Sequence, residues 1–252
     1  MQDQVTLARN LGVSETAVMD MWQHARENLD MEICGIVSSK GEYVPCENIH
    51  PEPSHHFALK ASPEQIEDCI AIVHSHPNET MAVLSAADMQ ASIDYDKPYI
   101  VLATNENNDR DMTVYRGGCQ PLLERAFRHG SSDCYTAIID WYDIHYGVKL
   151  LDHPRDWQWW KNGSDLYLDL FPKTGFVDIG RTNHLKDGDL VLARILSKVH
   201  NHAAVYTGSG LIYHQIGGPL PVDMSRLAAR EPITRYHGIL DKETVLRHKS
   251  LM

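Results

Sequence analysis

His74-Ser75-His76-Pro77, with Ser85 and Asp88 downstream, is the stretch whose reading decides the N-terminal fold. Histidines at i and i+2 on an extended segment point to one face, because side chains alternate along a strand. Ser85-Ala86-Ala87-Asp88 reads as a helix start, so a short loop can bring Asp88 back to that face. Two imidazoles and one carboxylate, with a fourth position open, form the ligand set of a catalytic rather than a structural zinc. A cation with an open position activates water for hydrolysis.

The segments around this stretch support it. Glu32-Ile33-Cys34-Gly35-Ile36-Val37 predicts a buried strand, with Glu42 to Cys46 as its hairpin partner. Glu32 is the only acid in that apolar run. An unpaired carboxylate there is costly without a task, which makes Glu32 the leading candidate for the base that takes a proton from water and delivers it to a leaving amine. Ser85 can donate a hydrogen bond to a developing oxyanion. Residues 6 to 30 show helical spacing with Ser14 as N-cap, and Ser62-Pro63 opens a short helix. Further strands are expected over Ala71 to His74, Tyr99 to Ala103 and Met112 to Tyr115, with a helix from Ser85 to about Asp94. His50, His55 and His56 sit in a Pro-rich loop and read as solvated side chains.

The pattern Glu32…His74-x-His76-Pro77…Ser85-x-x-Asp88 resembles the JAMM (MPN+) metalloprotease family over about residues 20 to 115. The resemblance implies that His74, His76 and Asp88 bind Zn2+, that Glu32 is the general acid/base, and that Ser85 stabilises the tetrahedral intermediate.

The composition shifts at Arg116-Gly117-Gly118, which predicts a domain over 1–115, a linker over 116–130 and a second domain over 131–252. In the second domain, Cys134 to Tyr146 reads as a helix ended by Gly147. A thiol at the first turn of a helix is expected to have a lowered pKa. An activated cysteine needs an imidazole and a group that orients it. His202 opens the run His-Ala-Ala-Val-Tyr, and His214 ends Leu-Ile-Tyr-His beyond a Gly turn. A hairpin there lets His214 hold the His202 ring while His202 faces Cys134. His200 shares a face with His202 and is a rival for the base. Leu190 to Ile195 and Pro232 to Ile239 are further expected strands, while residues 150 to 185 look less regular.

Asp133-Cys134 at a helix start, Gly188-Asp189-Leu190-Val191-Leu192, and Asn201-His202-Ala203-Ala204-Val205-Tyr206 with His214 resemble the NlpC/P60 cysteine peptidases. Tyr135-Thr136 departs from the Ser-Gly that many members carry after the cysteine. The expected fold class is therefore α+β in two domains: a JAMM/MPN-like α/β domain, then a papain-like NlpC/P60 α+β domain.

The chain has 252 residues, 43% hydrophobic and 23% charged, enough for two cores of ordinary composition. A net charge of −11 argues against nucleic acid and anionic membrane surfaces as partners. No run approaches the ~18 apolar residues of a membrane-spanning helix, and the opening MQDQVTLARN predicts no secretory signal. Five cysteines without a CxxC pair predict free thiols in a reducing compartment.

The order of the two modules, and the run Pro121 to Gly130 leading into Ser132-Asp133-Cys134-Tyr135, resemble the tail-tip assembly proteins of lambda-like siphophages. That resemblance implies a virion protein at the tail tip, made in the host cytoplasm. Its implied partners are other tail-tip proteins (hub, central fibre, tape-measure) and peptidoglycan, whose stem peptides the NlpC/P60 module cuts. The alternatives are a structural tail-tip plug with one or both sites inactive, and a cellular deconjugating peptidase.

Overall fold

A computed structural model of the chain describes residues 2–117, 122–123, 127–156, 158–180, 184–215, 233–235 and 244–252. The chain divides into two compact units, Met1–Gly118 and Cys119–Met252.

The first unit is built on a five-stranded sheet. Its strands are β1 (Cys34–Val37), β2 (Tyr43–Cys46), β3 (Ala71–Pro77), β4 (Tyr99–Thr104) and β5 (Arg110–Tyr115), in the order β2-β1-β3-β4-β5. Only β3 and β4 run parallel. A parallel pair needs a crossover, and α4 (Ala86–Asp94) supplies it. β2 is an edge strand, where Pro45 costs no ladder bond.

Alternation along β4 divides the core. Ile100 and Leu102 face α1 (Gln2–Asn10) and α2 (Glu15–Glu27), where Val18, Met21 and Trp22 are buried. Val101 and Ala103 pack with Leu84 and Met89 around α4. α3 (Pro63–Asp68) begins at the expected Ser62 cap.

The helical run expected over 6 to 30 is two helices. Gly12 breaks it at φ +97°, and Ser14 caps the second helix by accepting from Ala17 N–H at 3.1 Å. Glu32 precedes β1 instead of lying in it, and β3 extends through His76 to Pro77.

Among the described residues, the second unit holds a six-stranded antiparallel sheet. Its strands are β6 (Phe176–Asp178), β7 (Leu190–Ala193), β8 (His202–Tyr206), β9 (Leu211–Tyr213), β10 (Ile233–Arg235) and β11 (Val245–His248), ordered β10-β9-β8-β7-β11-β6. Helix α5 (Cys134–Tyr146) buries Ile138, Trp141 and Tyr142 against Leu192, Ala203 and Val205. Gly147 ends it in the left-handed conformation, φ 64°, as helix C-termini prefer. A short helix, α6 (Leu166–Leu170), lies in the stretch read as irregular. β11 was not expected; its Arg247 makes a two-point ion pair with buried Asp189 at 2.7 Å, and its ladder completes the sheet between β7 and β6. Of the strand expected over 232 to 239, Ile233–Arg235 is observed, and the other positions lie outside the described residues. No helix among the described residues is long and apolar enough to cross a membrane.

The turn between β1 and β2 is locked to the break between α1 and α2. Gly41 sits at φ +79°, its carbonyl accepts from Ser14 N–H at 3.0 Å, and a Cβ there would lie 2.2 Å from Gly12 O. Gly41→Ala is expected to cost the first unit about 2 kcal/mol or more, from left-handed strain plus a backbone clash. Chemical denaturation of the two proteins measures it, and an unchanged midpoint refutes it.

Candidate functional site

In the first unit, β3 puts His74 and His76 on one face, and α4 returns Asp88 to them. His74 Nε2 lies 3.2 Å from His76 Nε2 and 3.2 Å from Asp88 Oδ1, and His76 Nε2 lies 3.7 Å from Asp88 Oδ2. Donor atoms on a small tetrahedral cation with bonds of about 2.1 Å sit about 3.4 Å apart, so this spacing fits one. Among the described residues, His74, His76 and Asp88 form the one group of three that could hold a metal ion. His74 is fully buried and its Nδ1 has no hydrogen-bond partner, so the polar interactions of the ring lie on the Nε2 side. Phe57 stacks on it, with centroids 4.4 Å apart.

A capping box aims the carboxylate. Ser85 Oγ accepts from Asp88 N–H at 3.1 Å, while Ser85 N–H donates to Asp88 Oδ2 at 2.8 Å. Burial pushes the Asp88 carboxyl up, but the imidazoles of His74 and His76 and the Ser85 N–H outweigh it and hold it well below the carboxylate range. Burial, reinforced by His74, pushes His76 down to about 4, which keeps the ring neutral as a metal ligand must be.

Glu32 and Ser85 line the same cleft of about 1230 Å³ as His76 and Asp88. Burial raises the Glu32 carboxyl to about 7; His74 opposes the shift and Asp88 adds to it. A carboxyl poised there can take up and release a proton near neutrality. His55 and His56 are exposed, as expected, but with His50 they also line the cleft.

Sequence reasoning missed Asn48. Its Nδ2 donates to Glu32 O at 2.9 Å and His56 O at 3.0 Å, and its Oδ1 accepts from His50 N–H and Ala58 N–H, both at 3.0 Å. Glu32 N–H also donates to Pro53 O at 2.7 Å. The loop between β2 and α3 therefore clamps Glu32 through its backbone, and no local pattern signals this.

In the second unit, Cys134 opens α5 directly after its cap, Asp133, which accepts from Tyr135 and Thr136 N–H at 3.1 Å. Cys134 is 8% exposed, and the hydrogen bond of its thiol runs to Tyr167 Oη at 2.9 Å. The lowered thiol pKa expected from the helix dipole is not found. Burial and the Asp133 charge push it up to about 11, against the opposing effects of Tyr167, the Ala203 backbone and Arg155. His202 Nε2 meets His214 Nδ1 at 3.1 Å, the contact expected across the hairpin. The rival His200 is engaged elsewhere: its Nδ1 contacts Asp165 Oδ2 at 2.7 Å.

Known proteins match this architecture unit by unit. The family of prokaryotic homologs of the JAB domain matches residues 14–115, and the NlpC/P60 family matches residues 115–240. The tail tip assembly protein K of Escherichia phage N15 is 31% identical over 208 residues, covering 78% of this chain and 83% of the relative. The protein of the same name from Escherichia phage lambda is 35% identical over 150 residues, covering 59% and 70%. A crystal structure of an NlpC/P60 family protein from Bacillus cereus aligns at 16% identity and a TM-score of 0.32, covering 90% of this chain and 66% of that one. The matches define a two-domain α+β protein, with a JAB-like domain followed by an NlpC/P60 domain. The chain belongs to the tail tip assembly protein K family of lambda-like phages.

Burial also sets how the second unit responds to acid. It drives His202 well below 6.5, with His214 adding, and it lowers His214 to about 4. Unfolded histidine protonates near 6.5 while the folded rings resist, so below that pH the unfolded state binds more protons and gains. Stability is therefore lost as pH falls from about 6.5 toward 4, with His214 contributing about 3 kcal/mol of the loss. Denaturant unfolding at neutral pH and near pH 4 measures the slope, and His214→Gln is expected to flatten it. An unchanged slope in the variant counts against the assignment.

Proposed function

We propose that this is a phage tail-tip protein with two hydrolase sites: a zinc-dependent JAMM peptidase or isopeptidase, and an NlpC/P60 thiol endopeptidase that cuts peptidoglycan stem peptides during infection. It is made in the host cytoplasm, takes part in tail assembly beside the hub, central fibre and tape-measure proteins, and resides at the virion tail tip. The observation that carries the reading is the co-occurrence, in one chain of this family, of the His74–His76–Asp88 cluster, the Cys134 helix start and the His202–His214 pair.

In the first site, zinc held by His74, His76 and Asp88 would supply positive charge that acidifies water and polarises a carbonyl. Glu32 takes a proton and returns it to the departing amine, a task suited to a carboxyl raised to about 7. The Ser85 hydroxyl accepts the Asp88 N–H and keeps its own proton to donate to the oxyanion.

In the second site, the thiol is pushed up and the His202 ring down, so the proton rests on sulfur until attack. His202 removes it as the sulfur adds to the carbonyl carbon. The C–N bond then breaks, His202 protonates the leaving amine, and water releases the acyl group. His214 holds the His202 ring through Nε2, so Nδ1 is the nitrogen this reading assigns to the proton of the thiol. The near-complete burial of the thiol also favours a second reading, a tail-tip plug in which this site is inactive and the fold serves assembly contacts.

His76→Ala is expected to lose the zinc of the purified protein, and Glu32→Gln to retain it, by metal analysis. Unchanged zinc in the first variant, or zinc lost in the second, contradicts the assignment. Cys134→Ser is expected to abolish release of fragments from purified sacculi with its melting temperature within about 2 °C of the parent. Persisting release removes Cys134 as the nucleophile, and no release by the parent protein favours the plug.

A further inference from the structure

The residue before a nucleophilic thiol is, in this chain, an anion. Asp133 sits there as the cap of α5: its side chain accepts the N–H groups of Tyr135 and Thr136 and, through Oδ2, that of Gly130 at 2.8 Å. Yet a carboxylate beside the sulfur opposes its ionisation. Arg155 resolves the conflict. It is 1% exposed and grips Asp133 at two points, Nε to Oδ2 at 2.8 Å and Nη2 to Oδ1 at 3.1 Å. Its Nη2 also donates to Thr136 Oγ1 at 3.0 Å and its Nη1 to Asp152 Oδ1 at 2.7 Å. Its guanidinium lies over the Tyr135 ring, 4.7 Å from the centroid. Every contact of the cation is thus spent on the cap, on the first turn of the helix, or on the loop leading to Arg155.

We infer that Arg155 is a positioning residue of the thiol site: it cancels the charge that comes with the Asp133 cap and that would otherwise act on the sulfur. The inference rests on the reading of Cys134 as nucleophile. The other groups that face the sulfur are Tyr167 Oη from α6 and the Ala203 backbone of β8, next to His202; His129 faces Asp133. None of these neutralises the cap as a permanent cation does. Lysine cannot replace the arginine, because a single ammonium cannot span both Asp133 oxygens, Asp152 and Thr136.

The test uses the full-length protein and iodoacetamide. Alkylation of Cys134 is followed by peptide mass mapping from about pH 6 to about pH 10, for the parent, Arg155→Gln, Asp133→Asn and the double variant. Arg155→Gln is expected to move the profile to higher pH, slowing alkylation near neutrality ~10-fold. Asp133→Asn is expected to move it to lower pH, by less because Asp152 still pairs with the cation. The double variant is expected to return toward the parent. A purely structural role loosens the site in both single variants and moves both profiles the same way, which overturns the inference, as does an unmoved profile with a lowered melting temperature. If Arg155→Gln does not fold, the double variant must still titrate at higher pH than Asp133→Asn, and the reverse order overturns the inference. Cleavage that survives Cys134→Ser defeats the nucleophile reading alone and leaves these profiles to stand or fall separately.

Discussion

A side-chain oxygen accepting backbone N–H groups at the first turn of a helix places the key residue in each unit. In the first unit, Ser85 and Asp88 cap one another, and the same carboxylate that closes the box reaches His74 and His76. In the second, Asp133 caps α5 and thereby fixes Cys134 as the first helical residue, beside the strand that carries His202. Helix starts leave N–H groups unpaired, so a cap there is required by the backbone, and it fixes the position of the neighbouring side chain. Loss of either cap would displace a functional group as well as fray a helix.

Burial then decides which groups carry charge. Glu32 and Asp88 share one cleft but shift in opposite directions: burial raises Glu32 to about 7, while two imidazoles and a backbone N–H hold Asp88 down. Environments that push paired carboxyls apart suit the two roles proposed for them, an ionised ligand and a proton carrier. In the second unit the same desolvation keeps both thiol and imidazole neutral. A helix N-terminus alone does not overcome it, because the dipole is worth about 2 kcal/mol at most while full burial of a thiolate costs more.

What could be read from the chain was local. The His74-x-His76 face, the Ser85 helix start, Cys134 to Tyr146 with its terminating Gly147, and β8 over His202–Tyr206 all follow from periodicities and caps spanning a few residues. The helix break at Gly12 was missed because the apolar spacing runs through it, and only the positive φ reveals the turn. β11 was missed because its four residues show no alternation; its place is set by β7 and by the ion pair of Arg247 with Asp189, 58 residues away in sequence. Arg155 and Tyr167 lie 22 and 33 residues from their partners, in a stretch without periodicity. The raised thiol pKa was missed for a related reason: its largest cause is packing around Cys134, which no local pattern shows, and the Asp133 charge beside it adds to the shift.

Asn48 shows how one side chain can connect such distant pieces. It faces two N–H groups, of His50 and Ala58, and two carbonyls, of Glu32 and His56. Only a primary amide offers two acceptor sites on one atom and two donors on the other. Aspartate would set two carbonyls against an oxygen with nothing to donate, and leucine would leave all four groups unmatched. The orientation of the amide is fixed by the same demand, because the N–H groups must meet its oxygen and the carbonyls its nitrogen. The position of Glu32 at the cleft thus rests on the loop between β2 and α3 as much as on β1. The same loop contributes Phe57, which stacks on the buried His74 ring, so one loop organises both the backbone of Glu32 and the packing of His74.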